Sequence, residues 1–525
     1  MPLTAPIPVV NPNPDPVRYT GQAKTTPRQR WSALAVLMLP VLLVSIDNTV
    51  LSFAIPKIAQ ALEPTGLQQL WIIDAYSLVL AGLLVPMGSI GDRIGRKKLL
   101  IIGSTGFAAV SALAAFAPSA EWLIVARAGL GFFGAMLMPS TLSLIRNIFL
   151  NPNERRTALA IWAAGFGSGA ALGPVVGGFI LEHFSWGAVF MMAVPVLIPF
   201  LLLAPFLIPE SKDPSPGPVD PVSIGLVMVA MTSLTFAIKH VAKEGLDVAF
   251  FISALLGLVL GYFFVRRQLG RETPMLDVRL FTNKVFTGAI SANLLAMMSM
   301  VGFIYFVSQH LQLVSGMSAM EAGLFLVPGT LVTMVAGLLV VRLVPKIHPA
   351  YLVAGGMLLN ALAYGLVVVL GGESNAVLMV AFLILGLGVG MSETLSNDLM
   401  LSSVKPEKAG AASAISETSY ETGAVMGTAV LGGILTAAYS ASIALPTGLS
   451  EAQAYSASET LGGATRVAEE VGGSLGASLL DAAAHAFDSG VVITAAISAV
   501  LMLATAGMAF LMLRGADPHA EPAEH

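Results

Sequence analysis

About fourteen apolar runs punctuate the chain, each close to the roughly 20 residues that carry a helix across a hydrocarbon core. Several, such as Gly187–Ile208 and Val248–Val265, are almost uninterrupted. An unpaired backbone amide in lipid has no water to satisfy it, so a chain built this way folds as spanning helices. Composition agrees: only 11% of the 525 residues are charged and 56% are hydrophobic, whereas soluble chains carry roughly 25% charge. The expected fold is all-α integral membrane, with spans near 31–56, 70–90, 98–117, 122–148, 157–182, 187–208, 219–239, 247–265, 285–312, 320–342, 350–371, 376–402, 409–439 and 487–513. The first run is too long for a signal-peptide core and lacks a small-residue cleavage site, so it is expected to remain as a span. There is no cysteine, which removes disulfides, thiolate metal sites and cysteine nucleophiles.

The connections test this reading. Alternate loops collect Arg93, Arg96, Lys97 and Lys98, then Arg146, Arg155 and Arg156, Lys212, Arg266 to Lys284, Arg342 and Lys346, and Lys405 and Lys408. The opposite loops hold only Lys57, Lys239, Lys243 and Arg466, and Arg127 alone falls inside a span. A miscounted helix would scramble that alternation. By the positive-inside rule both termini are cytoplasmic.

A weak repeat relates GSIGDRIGRKK after the second span to GLLVVRLVPK after the tenth, matching Gly88 with Gly337, Arg93 with Arg342 and Lys97 with Lys346. This predicts two six-helix halves with two helices inserted between them, a common plan for transporters with a central site. The expected divisions are a proline-rich disordered tail (1–30), an N-terminal bundle (31–210), an inserted hairpin and linker (211–270), a C-terminal bundle (271–514) and a short tail (515–525). The outer loop 441–486 reads either as a solvated connector with a short surface helix or as a lid.

Chemistry concentrates in buried acids. Glu417 and Glu421 lie one helical turn apart on one face of the thirteenth span. Carboxyls at membrane depth are costly and mark binding sites or proton relays. Asp47 lies deep in the first span, followed by Asn48 and Thr49. Trp71 and Asp74 share a face of the second span, with Tyr76 close by. An aromatic face beside a carboxylate suits an organic cation, although Trp71 also reads as an interfacial belt residue and Asp74 as a hydrated helix-end acid. Arg127 needs a buried partner, and either tunes a proton-carrying acid or braces its helix. Asp92, with Arg93 and Arg96, belongs to a tight loop expected to latch one conformation. Gly165, Gly169, Gly173, Pro174, Gly177 and Gly178 form a small-residue face for close packing and local bending. Glu393 and Asp398 are further acids at an end where solvated positions are at least as plausible as a site.

Together these stretches resemble the fourteen-helix drug:proton antiporters of the major facilitator superfamily, most nearly the QacA/SmvA-like multidrug exporters, over almost the whole chain. The resemblance rests on GSIGDRIGRKK, on Arg127–Ala135, on Gly165–Gly178, and more specifically on Ile46-Asp-Asn-Thr-Val, Trp71-Ile-Ile-Asp-Ala-Tyr-Ser and Glu417-Thr-Ser-Tyr-Glu421. It implies protonation or cation recognition at Asp47, Asp74, Glu417 and Glu421; Tyr76 and Tyr420 are further candidate substrate-binding residues. Some members carry an acid in the tenth span; Gly323–Val341 has none.

The expected function is proton-coupled export of lipophilic organic cations, such as quaternary ammonium biocides and dyes, across the bacterial cytoplasmic membrane. Asp47 is the expected proton carrier, with Asp74, Glu417 and Glu421 receiving substrate. The alternative keeps the fold but exports an endogenous metabolite, lipid or antibiotic. Neither a phosphate-binding GxxxxGK[ST] loop nor an HExxH set occurs, so an ion gradient, not ATP, should supply energy, and the chain is expected not to be an enzyme. No cofactor, metal or nucleic acid is expected, and the working unit is expected to be a monomer.

Overall fold

The computed structural model describes residues 26–212, 219–371, 374–404 and 409–516. The tail 1–25, the tail 517–525, Lys405 and Lys408, and the side chains of Asn48, Arg156 and Lys243 lie outside the described residues. The described chain is helical throughout, in the order α1 Pro27–Leu62, α2 Gly66–Ile94, α3 Arg96–Ala114, α4 Ala120–Gly134, α5 Leu137–Ile148, α6 Pro152–His183, α7 Ala188–Met191, α8 Ala193–Leu207, α9 Pro221–Glu244 and α10 Val248–Leu269. There follow α11 Lys284–Gln309, α12 Ala319–Val340, α13 Pro349–Leu370, α14 Asn375–Ser402, α15 Ala409–Met426, α16 Gly433–Ser442, α17 Glu451–Glu459, α18 Leu461–Val471 and α19 Gly473–Leu513.

Thirteen of these segments are long and apolar enough to cross a membrane, α4 with α5, α7 with α8 and α15 with α16 each counting as one. The 32-residue α6 completes the expected fourteen. Local signals set the ends. Thr26, Thr65 and Ser318 cap their helices reciprocally with Gln29, Gln68 and Glu321, each satisfying two orphan amides. A π-helical stretch, Gly427–Gly432, joins α15 to α16.

The glycine face of α6 is a ladder along α1. A Cβ at Gly165, Gly169, Gly173 or Gly177 would meet Met38, Ser45, Thr49 or Val50 in turn. The same helix turns Pro174 and Gly178 towards α12: Gly323 leaves no room for a Cβ beside the Pro174 carbonyl, and Gly178 none beside Met320. Small residues thus let α6 hold α1 on one side and the second half on the other.

The basic loops collect at one end of the bundle and α17 and α18 at the other, called the lid end here for its position alone. Instead of a freely solvated connector, the segment between α16 and α19 forms two helices, and Leu461, Ala464, Val467 and Ala468 of α18 are buried. The lid touches both halves. Gly66 donates its amide to Glu459 at 3.0 Å, Arg466 pairs with Glu63 at 2.9 Å, and Tyr439 donates to the Ala457 carbonyl at 2.8 Å. Deeper, Ser308 donates to the Ser52 carbonyl and Gln69 to Tyr305 and Gln309. The lid end is closed.

One position departs from the sequence reading. Lys239 is not a loop lysine: it lies inside α9 with 1% of its surface exposed. The helix continues to Glu244 and stops at Gly245, whose φ of 80° is open to glycine at little cost.

Candidate functional site

Two helices build the centre. In α4, Gly131 and Gly134 lack the Cβ atoms that would strike the carbonyl and ring of Tyr76, so α2 and α4 approach closely. One turn earlier, Arg127 reaches across this contact. Its Nε donates to the Ile72 carbonyl at 3.1 Å, its Nη1 to Asp47 Oδ2 at 2.9 Å, and its guanidinium lies 4.5 Å from the centre of the Tyr76 ring. Arg127 is 2% and Asp47 4% exposed. A guanidinium satisfied by an acid, a carbonyl and an aromatic face is a tolerable buried charge. The two readings of Arg127 therefore meet in one arrangement, since it braces three helices and faces an acid.

Tyr76 lies within electrostatic reach of Asp47, Arg127 and Glu421. Glu421 is buried and Glu417 half-buried on the same face of α15. Glu417 lies within reach of Glu421 and of Arg146 on α5, while Tyr420 is within reach of Glu393 and Glu421. The structure thus brings Asp47, Arg127, Tyr76, Glu421 and Glu417 into one buried polar neighbourhood spanning both halves. Glu393 stands at its margin on α14, and Asp398 is exposed, as its solvated reading expects.

Asp74 and Trp71 form a second group. Asp74 is 1% exposed, about 12 Å along α2 from Gly66 at 1.5 Å per residue, so it is not a hydrated helix-end acid. Lys239 Nζ lies 2.8 Å from Asp74 Oδ2 and 4.1 Å from the centre of the Trp71 ring. The aromatic-plus-carboxylate arrangement exists, and a cation from the inserted α9 fills it. Sequence reasoning missed this partner because it ended the span at residue 239. The first glycine after Lys239 is Gly245, and that helix-stopping residue was the available signal.

The basic loop after α2 is clasped within its own half. Asp92 pairs with Arg96, and Arg96 donates to the Pro139 carbonyl. Glu210, after α8, accepts the Lys97 and Lys98 amides at 3.0 and 3.2 Å, capping α3. Arg93 is exposed at the edge of this clasp. Sequence reasoning also missed Glu210 and the buried His310–Asp488 pair at 3.0 Å, each joining residues far apart in the chain.

The Major Facilitator Superfamily profile matches residues 37–428, and the chain belongs to that superfamily. Within it the chain falls in the drug-efflux family, and it is a multi-pass transporter of the bacterial cytoplasmic membrane, not an enzyme. The multidrug efflux pump LfrA of Mycolicibacterium smegmatis is 53% identical over 94% of this chain and 99% of its own length. The methyl viologen resistance protein SmvA of Salmonella typhimurium is 36% identical over 93% and 99% respectively. Among solved structures, an inward-facing, occupied bacterial homologue of the human lysosomal transporter Spinster shares the fold. Its TM-score is 0.67 at 19% identity, covering 93% of this chain and 98% of that one.

Proposed function

We propose that the protein exports lipophilic organic cations in exchange for protons, with the basic end and both termini in the cytoplasm and the lid end outside. The observation that carries this reading is the buried Asp47–Arg127 pair beside Tyr76 and the α15 acids. Several carboxylates crowd one low-dielectric site, where their like charges repel. A proton on Asp47 releases the Arg127 charge from its partner, and that freed charge disfavours a cation on neighbouring Glu421. Loss of the proton restores the pair and the site's appetite for a cation. Proton and substrate thereby compete, which is the coupling. Asp47 carries the proton; Glu417 and Glu421, with Tyr420, receive substrate, and Asp74 with Trp71 offers a further cation position. The name of the SmvA relative, a resistance protein for the dication methyl viologen, supports a cationic substrate. Asp92, Arg93, Arg96 and the α6 glycines around Gly173 serve the conformational change, and the unit works as a monomer.

Cells expressing the protein should accumulate less ethidium than cells expressing Asp47→Asn, and a protonophore should abolish the difference. Ethidium levels that ignore both the substitution and the protonophore would overturn the reading. A second reading, export of a natural antibiotic, draws on the tetracenomycin C resistance and export protein of Streptomyces glaucescens, 29% identical over 77% of this chain. Accumulation of an endogenous compound in cells lacking the protein would favour it.

A further inference from the structure

Lys239 completes a cation-binding box with its own ammonium. The charge sits 2.8 Å from a carboxylate oxygen and 4.1 Å from the centre of an indole ring, and the lysine is 1% exposed. These are the contacts an organic cation would make with Trp71 and Asp74. A lysine at membrane depth is costly unless paired. The other end of α9 is tied to α10 within the hairpin, where Asp220 accepts from Arg267 at 2.8 and 3.1 Å and pairs with Arg271 at 3.2 Å.

The contact is a side-chain ion pair between two helices, the kind a competing cation can replace. The Thr428 hydroxyl lies within reach of the same carboxylate. Arg127, the other cation within reach of Asp74, is engaged by Asp47, which leaves Lys239 as the counter-ion. Lys239 lies five residues, about 7.5 Å, from the lid-end terminus of α9, within range of a long side chain that turns its head towards water.

We propose that Lys239 is an internal ligand of the transporter: the inserted hairpin holds its ammonium in the Trp71–Asp74 box, and an organic cation binds there only by displacing it. The inserted helices then set substrate affinity at Asp74, because each cation must outcompete a tethered one. This rests on the reading of Asp74 and Trp71 as a substrate position.

The test is equilibrium binding of tetraphenylphosphonium to the full chain in nanodiscs, with no ion gradient. Lys239→Met keeps length and apolar character while removing the competitor, and it should bind about tenfold more tightly, as expected for losing a close charge competitor. Lys239→Arg should bind as the parent does, and Lys239→Met/Asp74→Asn should lose the gain. Lys239→Met that is folded, as judged by thermal unfolding, and binds no more tightly overturns the proposal alone. If Lys239→Met does not fold, Asp74→Asn decides: it leaves a free ammonium in the box and should weaken binding, and parental affinity there overturns the proposal. Absence of binding in the parent and every variant overturns this proposal and the cation-export reading together.

Discussion

Arg127 Nη1 lies 2.9 Å from Asp47 Oδ2 while the same side chain donates to the Ile72 carbonyl, so one guanidinium ties α1, α2 and α4 at a single buried point. Breaking a buried pair leaves an uncompensated charge, so Arg127→Ala should cost about 3–5 kcal/mol in thermal unfolding. The double variant Asp47→Asn/Arg127→Gln removes both charges and should recover most of that stability without recovering proton coupling. Arg127→Lys keeps the charge but not the fork that reaches Asp47 and Ile72 together. It should fold and transport at least about tenfold more slowly, equivalent to about 1.4 kcal/mol. Parental transport in Arg127→Lys would show that the fork geometry is immaterial.

The contact between α6 and α12 should control which end of the protein opens. A Cβ at Gly323 would lie 2.3 Å from the Pro174 carbonyl oxygen, and overpacking of this kind costs about 1–3 kcal/mol. Gly323→Ala should therefore move the population away from the lid-closed arrangement. The chain has no native cysteine, so spin labels at Phe184→Cys and Leu324→Cys report the separation directly. Double electron–electron resonance should give a longer distance in the alanine variant.

The lid makes its own prediction. Glu459 accepts the Gly66 amide at the first residue of α2, and its loss should weaken closure by about 1–2 kcal/mol. With buried Leu461→Cys as the reporter, maleimide should react faster in Glu459→Ala than in the parent. The Arg466–Glu63 pair is more exposed, so Glu63→Gln should change the labelling rate much less.

The ion pair that ties α9 to α10 fixes a pH dependence. Hydrogen bonds from Arg267 hold the Asp220 carboxyl well below the usual carboxylate range. A native value below the unfolded one means that the stabilisation is complete above the unfolded value, about 3.9, and is lost as pH falls through the native value. The melting difference between the parent and Asp220→Asn should hold constant from about pH 8 to 5 and shrink only below about 4. It should be modest, about 1 kcal/mol, because both arginines are roughly one-third exposed and screened.

Much of this architecture was legible because lipid imposes length, apolarity and loop charge on each span separately. The first-span Asp47, the lone Arg127 and the α15 acids stood out as charges with no apolar reason to be there. Pairings were not legible, because they depend on which faces of distant helices meet. Nothing near Lys239 in sequence points to Asp74, far earlier in the chain, and nothing near Lys97 points to Glu210. The glycines of α6 announced close packing but not their partner; only the fold sets Gly173 against Thr49. The lid was ambiguous because α17 mixes alanines with polar residues, whereas α18 buries one face only by lying on α1 and α19.

The central claim is that proton movement is coupled to cation movement through Asp47. Purified protein in liposomes containing a pH-sensitive dye tests it most directly, with benzalkonium added under an imposed pH gradient. The account predicts proton flux that starts on addition of the cation and disappears in Asp47→Asn. Undiminished cation-dependent proton flux in a folded Asp47→Asn protein would contradict it.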